Sequence, residues 1–117
     1  MIVNKSRKMP LVSHHKKCHS VFCKARGLMF SKQRDDFGIA FTFNKEKKVA
    51  LHMYFVFFPI DVLFLNTRDK VEELVIGLKP FKMYIPKTKS KTVIELPHGT
   101  IERTHTQVGD QIEFKDQ

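Results

Sequence analysis

The chain has 117 residues, 42% hydrophobic and 28% charged, with a formal net charge of +9 at pH 7. That length and balance fit one folded domain, 1–117, with a single modest core, and they exclude a disordered or low-complexity chain. The charge is uneven: residues 1–26 hold seven Lys or Arg and no acid, while the remainder holds fourteen bases against twelve acids.

In chain order, residues 1–16 read as a basic N-terminal segment with an edge strand through Met9, Leu11 and Val12. Apolar residues at Cys18, Val21, Phe22, Ala25, Leu28 and Met29 have helical spacing and predict a helix over 17–25, ended by Gly27. After the polar stretch at 31–36, strands are expected at 38–43 and 49–55, with the NKEKK tract as their hairpin connection. Residues 51–65, LHMYFVFFPIDVLFL, contain twelve apolar side chains. This run is shorter than the ~20 residues of a membrane span, so it reads as core. Pro59 divides it, because proline cannot donate to a central ladder, and a strand follows over 60–65. Further strands are expected at 71–76, 83–85, 93–96 and 110–114, with one helical turn at 100–103. The fold class is therefore α+β and mainly β: a small barrel-like or strongly bent antiparallel or mixed sheet, one N-terminal helix and a short C-terminal helical turn.

Asp61 is the anomaly of the apolar run. A buried, ionised and unpaired carboxylate costs several kcal/mol, so a partner or an up-shifted pKa is expected.

Five blocks in order, RGLMF (26–30), GIAF (38–41), HMYFVFFPIDVLF (52–64), VIELPHGTI (93–101) and VGD (108–110), resemble domain of unknown function family 192. The HMYFV form, where many bacterial members read WMKNT, resembles an archaeal-type variant. The resemblance covers most of the chain and places the family core at 17–115. It implies a compact β-rich fold and no particular activity.

Arg26, His52, Asp61 and Glu95 each lie in one of these blocks, and a ligand-binding pocket formed by the four is the first functional expectation. Within it His52 and Asp61 are the candidate acid–base pair of a hydrolase-like reaction. The competing reading is that Arg26 neutralises Asp61 or Glu95 and fixes the helix to the sheet. The structural reading is favoured, since no nucleophile, phosphate loop or triad accompanies these groups. In the cluster HHKKCHSVFC, His15, His19 and Cys23 would share a helical face and could supply three zinc ligands. The lack of a Cys-x-x-Cys pair argues against a metal, and no cofactor is expected.

Lys5, Arg7, Lys8, Lys16, Lys17 and Lys24 in tract 5–26, with Lys82 and Lys87 in tract 79–91, could neutralise nucleic-acid phosphates. No helix-turn-helix, zinc finger or RNA-recognition signature supports them. The first twenty residues lack an apolar stretch, and Cys18 and Cys23 read as reduced thiols, so a cytoplasmic monomer is expected. The favoured function is a non-enzymatic binding or accessory domain for an unknown ligand or protein.

Overall fold

The structure is a computed structural model that describes residues 1–19, 35–53 and 56–115. Its strands are β1 (Ile2–Asn4), β2 (Met9–Val12), β3 (His14–Cys18), β4 (Phe37–Lys47), β5 (Leu51–His52), β6 (Ile60–Leu65), β7 (Val71–Leu78), β8 (Met83–Tyr84), β9 (Ser90–Pro97) and β10 (Ile112–Phe114). One short helix among the described residues, α1 (Thr100–Thr104), precedes β10.

The central sheet has the order β3-β4-β9-β6-β7, with β3 parallel to β4 and the other pairs antiparallel. All six residues of β6 are buried. Successive side chains point to opposite faces of a strand, so an unbroken apolar run requires cover on both sides. Leu63 and Leu65 join Leu96 and Ile94 in one apolar cluster, which the small sheet β10-β1-β2 and α1 cover through Ile2, Leu11, Val12, Ile112 and Ile101. Ile60, Val62 and Phe64 join Val93, Ile39 and Phe41 in a second cluster on the other face. The ribbon β5–β8 packs Leu51 and Tyr84 against this second cluster.

Two expected elements are corrected. Lys17 and Cys18 belong to β3, not to a helix. Their backbone groups pair with Ala40 and Phe41 of β4, and this non-local pairing overrides the helical spacing. Residues 20–25 of that expected helix lie outside the described residues. Asn44 to Lys47, read as a turn, continue β4 as far as the pair Lys47↔Ser90 beyond a register shift. Of the two expected forms, the mixed sheet is found and a closed barrel is not: among the described residues β3 and β7 are the two edges of the central sheet.

Cys18 is buried and disulfide-bonded rather than a reduced thiol, and the chain's other cysteine is Cys23. Disulfides mark oxidising compartments but are also common inside cells of hyperthermophilic archaea, so this bond does not assign a location.

Candidate functional site

Asp61 is fully buried, and the geometry around it explains how. In the β6–β7 pairing, Ile60 faces Leu78 and Val62 faces Val75, so Ile76 and Gly77 together oppose Asp61. This is a β-bulge, with Gly77 at φ +67°. The bulge frees the Gly77 N–H from the ladder, and that group donates to Asp61 Oδ1 at 2.9 Å. Asp61 Oδ2 accepts from the N–H groups of Gly99 at 3.1 Å and Ile101 at 2.9 Å. Gly99 precedes α1 and has no side chain to cap it, so a strand carboxylate satisfies the first donors of the helix instead. The partnered carboxylate expected from the sequence is therefore present, and its partners among the described residues are backbone amides and a histidine.

That histidine is His98, whose Nδ1 lies 3.1 Å from Asp61 Oδ1, with its side chain half exposed. A carboxylate at one ring nitrogen fixes the tautomer and orientation of an imidazole. The imidazole beside Asp61 is thus His98, whereas His52 is exposed on β5 opposite Met83. The pocket of four is not assembled as expected. Asp61 pairs with Leu96 and Val62 pairs with Glu95, so the carboxylates of Asp61 and Glu95 leave opposite faces of the sheet. Arg26 lies outside the described residues.

Glu95 stands on the face of the second apolar cluster, between Ile39 and Val62. The residue is half-buried, but its Oε1 is sealed from solvent and has no hydrogen-bond partner among the described residues. Burial pushes this carboxyl up to about 7. A folded-state pKa raised above the ordinary 4.5 favours the fold while the group is protonated, and that advantage is lost as pH rises from 4.5 through about 7. Glu95→Gln keeps the shape of the neutral acid and cannot ionise. It is expected to stabilise the protein by ~2 to 4 kcal/mol at about pH 8 and to change little at about pH 4. Urea unfolding at the two pH values measures this, and an equal effect at both would place Glu95 in contact with water.

Two anchoring carboxylates escaped the reading of the sequence. Glu73 on β7 accepts from Tyr84 Oη through Oε2, and through Oε1 from Lys87 N at 2.9 Å, Thr88 N at 3.0 Å and Thr88 Oγ1 at 2.8 Å. Burial raises its pKa, but these bonds outweigh it and leave the carboxyl below its ordinary value, while the same contact pushes Tyr84 up to about 12. Asp110 accepts through Oδ2 from Asn4 Nδ2, Gln107 N and Arg7 Nε at 2.9 to 3.1 Å. Burial raises it too, and the bonds hold it below the usual carboxylate range. Neither role is visible in residue type alone, because most of the donors come from loops distant in sequence.

Arg7 is thus tied to Asp110, whereas Lys5, Lys8, Lys16, Lys17, Lys82 and Lys87 are exposed; Lys24 lies outside the described residues. His15 Nδ1 lies 3.0 Å from the Met1 amine. His15 is in a strand, where four residues span ~13 Å, so the helical spacing that would gather it with His19 is absent. Cys23 lies outside the described residues, and among those described no group of three or more His, Cys, Asp or Glu could hold a metal ion. An open cavity of about 380 Å³ is lined by Lys5, Asp69, Gln111, Ile112, Glu113 and Phe114, and by none of Asp61, His52 or Glu95.

The model of the DUF192 family, described as "Uncharacterized ACR", matches residues 3–114. A UPF0127 protein of Pyrococcus horikoshii is 34% identical over 116 residues, covering 97% of this chain and 98% of that protein. A crystal structure from Sinorhizobium meliloti, described as a candidate transcription regulator, superposes with a TM-score of 0.80 at 24% identity, covering 85% of this chain and 79% of that one. A Novosphingobium aromaticivorans protein of unknown function gives a TM-score of 0.78 at 21% identity, covering 86% and 74%. The likeness to these two structures is one of fold.

Proposed function

Since the chain belongs to the DUF192 family, described as uncharacterised, we propose its function from geometry: a non-enzymatic binding domain that meets an anionic partner through the β5–β8 ribbon. The carrying observation is a segregation of charge and apolar exposure. Segments 47–60 and 74–94, which include both strands of the ribbon, contain seven lysines and no acid. Five of the six exposed large apolar residues among those described lie in the same segments, and four of them, Phe57, Phe81, Met83 and Ile85, flank or belong to the ribbon. Clustered exposed apolar groups rimmed by polar ones mark interaction sites more often than chance surface. Asp61 supports a binding role over catalysis, since backbone donors and His98 occupy both of its oxygens.

The test compares two sites of equal charge. Lys79, Lys82 and Lys87 are replaced by Gln in one variant, and Lys5, Lys8 and Lys16 in another. The ribbon variant is expected to elute from a heparin column at lower salt than the N-terminal variant, because clustered charges contribute together to polyanion retention. Elution of the ribbon variant at the same or higher salt than the N-terminal variant would overturn the assignment.

A further inference from the structure

We infer that the ribbon docks on an anionic membrane surface, an inference that rests on the binding reading above and names its partner. Phe81, Met83 and Ile85 occupy alternate positions and are 52%, 57% and 70% exposed. Met83 on β8 and Ile85 just beyond its end both face solvent. Tyr84, between them, turns inward, with its ring 5.8 Å from that of Phe64. Phe57, 61% exposed, meets Phe81 edge to face at 5.6 Å.

These side chains are held outward by specific bonds. Phe81 has φ +63°, a left-handed backbone that a bulky side chain rarely adopts. Its N–H donates to Met53 O at 2.8 Å, and Met53 N–H donates to Lys82 O at 2.7 Å, so the strained turn is fixed to the next chain segment. Glu73 binds Tyr84 just before Ile85, and Lys87 and Thr88 beyond it. The projecting apolar tip is clamped at both ends.

Lys79, Lys82, Lys87 and Lys89 are all exposed along this segment. Apolar tips fringed by ammonium groups complement a surface that is anionic at its headgroups and apolar a few ångströms below. The lysine stems can lie along the apolar layer while their ammonium groups reach phosphate or carboxylate. Single-stranded nucleic acid has the same charge but binds through flat aromatic faces. Phe57 and Phe81 are turned edge to face on each other, Met83 and Ile85 carry no ring, and Ile85 is the most exposed large apolar residue among those described. A bilayer accommodates both. Attachment is peripheral, as no helix among the described residues is long and apolar enough to cross a membrane.

The experiment is cosedimentation of the full chain with vesicles of phosphatidylserine and phosphatidylcholine in equal parts, with pure phosphatidylcholine vesicles as control. Binding is expected to the first and not the second, and to weaken as salt is raised. Met83→Ser combined with Ile85→Ser is expected to reduce vesicle binding at least ~10-fold through lost apolar insertion. The same variant should keep its melting temperature and its retention on heparin, because both side chains are already exposed. Absence of vesicle binding at low salt overturns the membrane assignment, as does undiminished binding by the double variant. A single-stranded oligonucleotide bound in place of vesicles overturns it as well, while the reading of an anionic partner stands. That broader reading falls only if the ribbon lysines prove immaterial on heparin.

Discussion

Phe64→Ala is expected to destabilise the protein by ~3 to 5 kcal/mol, the range for removing a fully buried aromatic ring. Phe64 has no solvent exposure and lies on β6 between Glu73 of β7 and Val93 of β9. Its neighbours on both sides are strands of the central sheet, whose backbones cannot close around the vacated space without breaking the ladder. The cavity therefore persists, and its cost adds to the lost transfer free energy. A second consequence follows from Tyr84, whose ring rests 5.8 Å from Phe64 and whose hydroxyl donates to Glu73. With that support gone, the amides of Lys87 and Thr88, which bind the same carboxylate, should exchange their hydrogens faster. Urea denaturation gives the first quantity and native-state hydrogen exchange the second. A loss below ~1 kcal/mol would mean that the ring is not packed in the core.

The parts of the fold that were legible are those whose stability is written locally. The run from Ile60 to Leu65 has no polar residue except Asp61 and begins just after a proline, so a strand covered on both faces is its natural reading. Pro97, His98 and Gly99 closing β9 before a helical turn are equally local. What misled was non-local. Lys17 and Cys18 keep helical spacing with later residues, yet a partner strand about twenty residues away takes their backbone groups. Burial of Asp61 could be inferred from its neighbours, but its partners could not. Three of its four donors are main-chain N–H groups exposed by a bulge and a helix start, and every residue but proline carries one. His98 was not among the candidate residues, and only the register of β6 against β9, pairing Asp61 with Leu96, shows that it falls beside the carboxylate. Glu95, grouped with Asp61 in one candidate pocket because both lie in family blocks, stands on the other, apolar face of the sheet.

Asp61→Asn separates the two explanations of that carboxylate, and the expected loss is ~3 to 5 kcal/mol, not the mild effect that near-identical shape would suggest. A carboxylate offers acceptors at both oxygens, whereas an amide offers one acceptor and one donor group. If the Asn oxygen faces Gly77 and His98, the new NH₂ group points at the N–H groups of Gly99 and Ile101, which approach Asp61 at 3.1 and 2.9 Å. Flipping the amide moves the conflict to Gly77 N and His98 Nδ1, at 2.9 and 3.1 Å. His98 can change tautomer to accept from the amide, but the Gly77 N–H cannot, so neither orientation satisfies the site. Both also remove the negative charge from the N-terminal end of α1. Water is a poor substitute because Asp61 itself has no solvent exposure. With total stabilities of domains near 5 to 15 kcal/mol, a loss of this size would bring unfolding close to ambient conditions. Thermal unfolding followed by circular dichroism reads it directly. A variant within ~1 kcal/mol of the native chain would show that the four donors do not depend on two acceptor oxygens, and would reopen an exchangeable, solvent-linked role for Asp61 and His98.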